Sequence, residues 1–370
     1  MDALILSCGT GGGHNAAGNA IKEELLRRGH GATMINPYDL CSKKLSACVD
    51  KTYISIAQRA PHMFGAIYAA GNFYRRLPWR SPVYFANKHP ASKLLDYLQE
   101  KPADVVIMPH VFPAEILTYL RDHGATVPKT IFVATDYTCI PFTEECSCDA
   151  YVIPSESLTD EFVGRGIPAE RIHPLGIPVR SNFRTALTAK EAKEKLGLDP
   201  DKRYILLSGV SIGASKLGRT LDILSETTRG TAFGLIVICG SNEPLRKNLE
   251  KRHGDSVRVI GHTDQMALYL RACELFFTKP GGLSTTEAAV MEVPLALLPP
   301  IPGCETRNLQ FFTQSGMGAK ATLHPKTLTD FDSAHFEALC AAMQQNQRTV
   351  IRKNSAEEIC DLAEKLTVSA

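Results

Sequence analysis

The stretch Phe276–Ala288 reads FFTKPGGLSTTEA and indicates the architecture of the C-terminal half of the chain. The apolar run Leu275–Thr278 is typical of a buried strand, and it ends in Lys279-Pro280-Gly281-Gly282 before a helical pattern starts near Ser284. The first N–H groups of such a helix point toward the end of the strand, and the helix dipole favours an anion there. This unit therefore predicts a parallel sheet with a ligand site at its carboxyl edge.

The same alternation of short apolar runs and helical patterns extends over most of the 370 residues. A polar connector, residues 180–202, separates two sets of runs. We expect an α/β fold with two doubly wound, mainly parallel sheets, one in residues 1–180 and one in residues 181–370. The predicted strands are Leu4–Ser7, Thr33–Ile35, Val105–Met108, Thr130–Ala134, Tyr151–Ile153, Tyr204–Leu207, Gly234–Cys239, Val257–Ile260, Leu275–Thr278 and Leu295–Leu298.

Composition and charge are those of an ordinary soluble protein. The chain is 44% hydrophobic with a net charge of +2, so we expect no nucleic-acid partner. The eleven cysteines are scattered and resemble reduced core thiols. The one cluster, Cys139, Cys146 and Cys148, lacks zinc spacing, so we expect no metal site there. No segment resembles a secretion signal, which favours a cytoplasmic location.

Residues 45–90 interrupt the alternation and form a predicted helical insertion. Between Ser42 and Lys93 lie nine basic residues, one acid and eight of the 27 aromatic residues. Basic and aromatic residues together favour an anionic membrane surface, although a helical subdomain with its aromatics packed inward is the structural alternative. The residues that we expect at the membrane or acceptor are Phe64, Tyr68, Phe73, Tyr74, Arg75, Arg76, Trp79 and Arg80.

The segment LILSCGTGGGHN (residues 4–15) is the second unit of this kind, with a predicted strand, a glycine loop and the start of a helix. It satisfies a loose dinucleotide pattern, but Asn36-Pro37 occupies the place where such a site carries an acid, which disfavours a dehydrogenase. Gly12 and Gly13 allow close approach of a ligand, and His14 follows them. His14 is either a helix-capping residue or a general base whose pKa the helix end lowers, and its position at the edge of the sheet favours the base.

Two further loops carry polar residues at strand ends in the C-terminal half. Ser208–Ser215 (SGVSIGAS) is another small-residue loop able to hold a diphosphate. Glu287 is placed either to bind ribose hydroxyls or to stabilise the helix start. Glu305 and Asn308, one turn apart, are either a sugar-binding pair or a capping pair.

Together these motifs resemble the monogalactosyldiacylglycerol synthase and processive diacylglycerol glucosyltransferase family, part of glycosyltransferase family 28. The matching pieces are Gly11–His14, Thr135-Asp136 after a strand, Thr278–Ala288 and Gly303–Asn308. The resemblance covers most of the chain. One departure is Cys304, since members of the family usually carry glutamine there.

The resemblance implies a GT-B fold, with two facing doubly wound domains, an acceptor lipid on the N-terminal one and a UDP-sugar on the C-terminal one. It implies inverting transfer without an active-site metal or other cofactor. His14 would be the base and Asp136 either its orienting partner or the base itself. The implied donor-binding residues are Gly209, Ser211, Gly213, Ile260, Gly261, Lys279, Gly281, Gly282, Leu283, Ser284, Thr285, Glu287, Glu305 and Asn308.

The function implied is transfer of a hexose from a UDP-sugar to diacylglycerol or a glycolipid, by an enzyme peripheral to the inner face of the plasma membrane. A polyprenyl-linked or soluble acceptor is one alternative. A catalytically silent nucleotide-sugar-binding protein is another, which Glu287, Glu305 and Asn308 disfavour. UDP-glucose and UDP-galactose are not distinguished by the sequence.

Overall fold

A computed structural model of the protein describes residues 1–9, 12–44, 46–47, 52, 55–56, 60–75, 79–209, 214–254, 256–321 and 333–368. The chain divides into two compact units. Unit 1 comprises Met1–Arg180, Pro302–Arg307 and Arg352–Ala370, and unit 2 comprises Ser181–Ile301 and Asn308–Ile351. The division after Arg180 falls where the sequence predicts it.

In the described part of unit 1, six strands form a parallel sheet in the order β2-β1-β3-β4-β5-β6. Strands β3 and β4 are buried almost throughout, because helices cover both faces of a parallel sheet. The strands are β1 (Asp2–Leu6), β2 (Gly31–Ile35), β3 (Val105–Met108), β4 (Lys129–Val133), β5 (Ala150–Val152) and β6 (Ile172–His173). The helices between them are α1 (Gly12–Arg27), α2 (Pro61–Tyr74), α3 (Pro82–Ala86), α4 (Lys88–Glu100), α5 (Val111–Asp122) and α6 (Thr159–Val163).

Unit 2 repeats the arrangement with its described strands in the order β12-β11-β10-β7-β8-β9, all parallel. Its strands are β7 (Arg203–Ser208), β8 (Phe233–Ile238), β9 (Val257–Ile260), β10 (Leu275–Thr278), β11 (Leu295–Leu297) and β12 (Gly318–Lys320). Its helices are α7 (Ala189–Lys195), α8 (Ala214–Thr227), α9 (Glu243–His253), α10 (Met266–Ala272), α11 (Gly282–Val290), α12 (Cys304–Gln314) and α13 (Ala334–Val350). The first turn of α12 is assigned to unit 1.

The assignment of all of residues 181–370 to one domain is wrong at the C-terminus. The last helix, α14 (Ser355–Val368), belongs to unit 1 and packs beside α1. Its apolar face, including Ile359 and Ala363, joins the core on one side of the unit 1 sheet. An ion pair and a hydrogen bond add to this packing, with Arg28 Nη1 2.6 Å from Asp361 Oδ1 and His30 Nε2 2.8 Å from Glu364 Oε1.

All ten predicted strands are present, with ends displaced by at most two residues. The prediction missed β6 and β12, which have two and three residues and too little sequence to show a pattern. No helix in the described ranges is long and apolar enough to cross a bilayer. Each unit therefore has its own carboxyl edge of a parallel sheet, which is where ligands of doubly wound folds bind.

Candidate functional site

The carboxyl edge of the unit 1 sheet gathers the titratable residues that follow three neighbouring strands. Strand β1 pairs with both β2 and β3, so the direction of winding reverses between β1 and β3. His14 follows β1 in the first turn of α1, His110 follows β3, and Asp136 follows β4. A Cβ atom at Gly12, where α1 begins, would have no described atom within 4 Å, so the loop is open there.

The hydrogen bonds of His14 fix which of its ring nitrogens can act as a base. Its Nδ1 atom lies 2.9 Å from the carbonyl oxygen of Pro109 and 2.9 Å from Thr135 Oγ1. A carbonyl oxygen only accepts, so Nδ1 carries the proton and donates it. In the neutral ring the lone pair is then on Nε2, which is the nitrogen able to accept a proton from a substrate.

His110, which the sequence analysis did not single out, is the immediate neighbour of His14. The two rings meet edge to face, with centroids 4.5 Å apart and planes at 82°. The backbone N–H of Phe112 donates to His110 Nδ1 at 3.1 Å, so His110 also caps α5. A polar residue two positions after a strand is the signal that could have identified it.

Burial determines the charge state of both histidines. Burial is the largest effect on the pKa of His14 and lowers it below 6.5, while Asp136 and the Pro109 carbonyl act in the opposite direction. Burial also lowers the pKa of His110 well below 6.5, and the neighbouring His14 adds to that effect. His14 is therefore neutral near pH 7, and Asp136 is placed to stabilise the imidazolium that forms when His14 accepts a proton. The direction of this shift agrees with the sequence prediction, but its cause is burial and not the helix end that the prediction invoked.

Beside these residues lies a cavity of about 510 Å³, which we call the His14 cavity. His14, His110 and Asp136 contribute polar groups to its lining, which is otherwise mostly apolar. The apolar part includes Ile67, Tyr68, Val111, Phe112, Ile140 and Phe142. Such a cavity suits a molecule with one reactive polar group and an apolar body.

Arg75 does not have the membrane role that the sequence analysis gave it. Its side chain is 3% exposed, and it forms a two-bond fork with Glu144, with Nε–Oε1 and Nη2–Oε2 distances of 2.6 Å. Arg80 is half-exposed, but its guanidinium lies 2.8 Å from Asp122 Oδ2 and donates to the carbonyl of Glu145. These contacts tie the insertion to the body of unit 1, and the buried Arg75 in particular needs its paired anion.

The aromatic residues of the insertion divide into two groups. Tyr68 lines the His14 cavity, and Tyr74 donates its hydroxyl to the carbonyl of Arg80 at 3.0 Å. Phe73 and Trp79 are exposed, at 66% and 67%, and so is Phe85, at 63%. Arg76 and the side chain of Phe64 lie outside the described residues.

In unit 2 the corresponding edge lies where β7 and β10 pair side by side. Ser208 and Thr278 are partners in this pair, so Gly209 and Lys279 follow at neighbouring positions. The winding of the sheet reverses between these two strands, which is where doubly wound folds bind nucleotides. Ser211 and Gly213, predicted in the same loop as Gly209, lie outside the described residues.

The start of α11 supplies backbone donors at this edge. Gly281 is the N-cap residue, and the first intrahelical bond runs from the Thr285 N–H to the Gly281 carbonyl at 3.1 Å. The N–H groups of Gly282, Leu283 and Ser284 precede it and have no acceptor within the helix. Thr285 is a correction to the prediction, because its hydroxyl also donates to the Gly281 carbonyl, at 2.8 Å, and its side chain is fully buried.

One face of α11 is left uncovered by the core of unit 2. Between Gly281 and Val290 only Gly281, Ser284 and Glu287 are partly exposed, and the other positions are buried. Residues three apart lie on the same side of a helix. Glu287 therefore lies on the same face as the donors at the helix start, as a ribose-binding carboxylate would require.

The residues of α12 differ in burial and contacts. Asn308 is fully buried, and its Nδ2 donates to the carbonyl of Pro280 at 3.0 Å, so this amide group holds the Lys-Pro-Gly-Gly loop instead of presenting itself to a sugar. Glu305 is 7% exposed, in the segment Pro302–Arg307 that clusters with unit 1. Ile260 ends the edge strand β9, and Gly261 follows it against the side chain of Arg246.

Comparisons with known proteins agree with this arrangement. The structure of MurG from Acinetobacter baumannii matches 98% of this chain and 99% of its own with a TM-score of 0.64 at 14% identity. A structure of Anabaena HepE in complex with UDP and glucose matches 98% and 99% with a TM-score of 0.57 at 11% identity. The chain therefore has the GT-B fold, the two-domain fold of nucleotide-sugar glycosyltransferases.

Sequence comparison points to one family. The model of the monogalactosyldiacylglycerol (MGDG) synthase family matches residues 14–179 of this chain. A processive diacylglycerol beta-glucosyltransferase of Bacillus subtilis (strain 168) is 25% identical over 372 residues, covering 97% of this chain and 93% of the relative. The family match begins at His14 and spans the unit 1 edge described above.

Proposed function

We propose that this protein is an inverting glycosyltransferase that moves a hexose from a UDP-sugar to diacylglycerol and so makes a glycolipid. The observation that carries the proposal is the neutral His14, with its Nε2 lone pair, beside a largely apolar cavity of about 510 Å³. A diacylglycerol has one hydroxyl and an apolar body, which suits this combination. The name of the Bacillus subtilis relative supports the same substrate class.

The chemistry follows from the groups in each unit. The acceptor hydroxyl gives its proton to His14 Nε2 and its oxygen attacks the anomeric carbon, while the bond from that carbon to the diphosphate oxygen breaks and UDP leaves. Asp136 stabilises the imidazolium that forms. In unit 2 the N–H groups at the start of α11, together with Lys279, stabilise the charge that develops on UDP.

The donor site requires no metal in this proposal. A helix N-terminus and a lysine together provide the positive potential that a departing diphosphate needs. Among the described residues no group of three or more His, Cys, Asp or Glu side chains is placed to bind a metal ion. We expect the rate of transfer to be unchanged by EDTA, and a loss of activity that Mg²⁺ restores would contradict this.

The exposed apolar residues of the insertion support a peripheral membrane location, and we propose that the surface bound is the cytoplasmic face. Phe73, Trp79 and Phe85 are each more than 60% exposed, and Lys88 and Lys93 are exposed on the neighbouring helix. Aromatic side chains with nearby lysines match the interface of an anionic bilayer. Since Arg75 and Arg80 are held by acids of unit 1, apolar insertion contributes more to this binding than the sequence alone suggested.

A sedimentation assay tests the membrane surface. We expect Phe73→Ser combined with Trp79→Ser to reduce binding to phosphatidylglycerol vesicles by roughly 10-fold or more, because two aromatic contacts are lost. Val163→Ser is the matched control, since Val163 is an apolar residue of unit 1, 40% exposed, outside the insertion. Equal sedimentation of the aromatic variant and the control would exclude this surface.

Transfer itself is tested by UDP release in mixed micelles containing diacylglycerol, with UDP-glucose and UDP-galactose side by side. Lipid products are separated by chromatography. We expect a new hexosyl diacylglycerol from one of the donors, and this identifies the sugar. UDP release without a lipid product, or donor binding without release, would contradict the proposed acceptor.

A further inference from the structure

Phe142 has a backbone conformation that is rare for a bulky residue. Its φ angle is +74°, in the left-handed region. Among the described residues one other non-glycine residue has a positive φ, Glu292 at +60°, and it lies just after α11, where a left-handed residue commonly ends a helix. Phe142 instead precedes the short 3-10 helix Thr143–Glu145. No helix end explains its strain, and strain of this kind is concentrated at functional sites.

Hydrogen bonds of the surrounding loop hold this conformation. The carbonyl oxygen of Phe142 accepts the Glu145 N–H at 3.1 Å and the Cys146 thiol, whose Sγ atom lies at 3.5 Å. The Thr143 N–H donates to the carbonyl of Ile140 at 3.3 Å and so closes a turn around Phe142. A strained residue persists only where its surroundings determine its conformation, and these bonds do so here.

Arg75 of α2 binds the same loop from the side of the insertion. Its guanidinium forms the fork with Glu144 and also donates from Nη1 to the carbonyl of Cys139 at 3.2 Å. Cys139 and Glu144 lie on either side of Phe142 in the chain, so Arg75 fixes the loop at two points. Phe142 is therefore held in place relative to α2.

The ring of Phe142 lines the His14 cavity and lies against α2. A Cβ atom at Gly71 would be 3.4 Å from Phe142 Cζ, at the tip of the ring, and 3.2 Å from Pro141 Cβ. Gly71 is buried and also lines the cavity. Because glycine leaves this space open, the backbone of α2 approaches the ring closely. The ring is thus a fixed part of the cavity wall, with little room to turn aside.

A fixed apolar wall discriminates between acceptors by their width. The polar groups of the cavity recognise a hydroxyl, so the apolar lining is what distinguishes one apolar body from another. An unbranched acyl chain is flexible and can bend past a ring that does not move. A chain with methyl branches near its ester is wider, and forcing extra methyl groups into packed apolar space is unfavourable.

We propose that Phe142 is a specificity-determining residue, which restricts the acceptor to diacylglycerols whose chains are unbranched close to the glycerol. The inference rests on the proposed function and adds the class of acceptor to it. The restriction applies close to the glycerol because His14, which takes the proton of the glycerol hydroxyl, lines the same cavity. Removal of the ring should widen the cavity and leave His14, His110 and Asp136 in place.

The test compares dihexadecanoylglycerol with diphytanoylglycerol as acceptors for the full chain, each in mixed micelles with the same UDP-sugar. The main chains of these two lipids are equally long, and those of the second carry methyl branches. We expect the wild type to prefer the unbranched lipid. Phe142→Gly should raise kcat/KM for the branched lipid, relative to the unbranched one, about 10-fold, because small differences in apolar fit have effects of this size. Phe142→Ala should act in the same direction.

Glu292→Gly is the matched control. It also replaces a residue of positive φ by glycine, but Glu292 does not line the cavity, so the preference should stay that of the wild type. Thermal melting followed by circular dichroism checks folding and the strain together. Phe142→Gly should melt at a higher temperature than Phe142→Ala, because glycine adopts this φ without strain.

The outcomes separate the inference from the proposed function. Equal use of both lipids by the wild type, or folded Phe142 variants with the wild-type preference, overturns the role of Phe142 and leaves the proposed function standing. A preference changed as much by Glu292→Gly overturns that role as well. Absence of transfer to either lipid by the wild type overturns both.

Discussion

The carboxyl edges of the two sheets present different chemical groups. In unit 1 the edge presents the side chains of His14 and His110, whose pKa values burial lowers, with Asp136 beside them. In unit 2 it presents backbone N–H groups at the start of α11 and a partly exposed Glu287. Proton transfer requires a group with an adjusted pKa, whereas a diphosphate requires fixed dipoles, so the difference supports the proposed division into acid–base chemistry in unit 1 and donor binding in unit 2.

The largest expected effect comes from removing the base. His14→Ala should lower kcat by about 10²–10⁴, because general-base catalysis typically contributes that much. Binding of UDP, measured by isothermal titration calorimetry, should not change. A kcat close to that of the wild type would remove His14 from this role.

Next in size is the effect of the buried arginine on stability. Arg75→Ala should lower the free energy of unfolding by about 3–5 kcal/mol, because it leaves the Glu144 carboxylate without its partner. Arg75→Ala combined with Glu144→Gln should recover part of the loss. Denaturant unfolding measures the stability of the single and the double variant. An Arg75→Ala variant that is as stable as wild type but binds vesicles less well would contradict this account and favour a membrane role for Arg75.

A smaller and more selective effect is expected in unit 2. Glu287→Ala should raise the KM for the UDP-sugar by roughly 10- to 100-fold, since a hydrogen bond to a charged group is lost. The KM for the lipid acceptor should remain unchanged. Glu292→Ala is the comparison variant, since Glu292 lies two residues beyond the end of α11. If Glu292→Ala raised the KM for the UDP-sugar as much as Glu287→Ala does, the effect would not be specific to ribose.

The smallest expected effect is a displacement of the pH profile. Asp136 raises the pKa of His14 against the effect of burial, so Asp136→Asn should lower it further. A base acts when deprotonated, so kcat/KM rises as pH rises through its pKa, and the acidic limb should move to lower pH. A limb that moved to higher pH, or stayed in place, would exclude this electrostatic coupling.

Much of both edges could be predicted from the sequence, because strand ends and glycine loops have local signals. Thr278–Thr286 shows the strand, the loop and the helix start within nine residues. The predictions that failed depended on contacts between residues that are distant in the sequence. Arg75 resembles a surface charge until Glu144 is seen beside it, and the pattern of α14 does not reveal that its apolar face packs on unit 1. His110 has no motif around it, and its importance follows from its contact with His14.

The most direct test of the account is the anomeric configuration of the glycolipid made from diacylglycerol and an α-linked UDP-hexose. A single displacement with His14 as base inverts that carbon, so the account predicts a β-linked product, identified by its proton NMR coupling constant, that is nearly absent with His14→Ala. An α-linked product, or a β-linked product formed equally fast by His14→Ala, would contradict it.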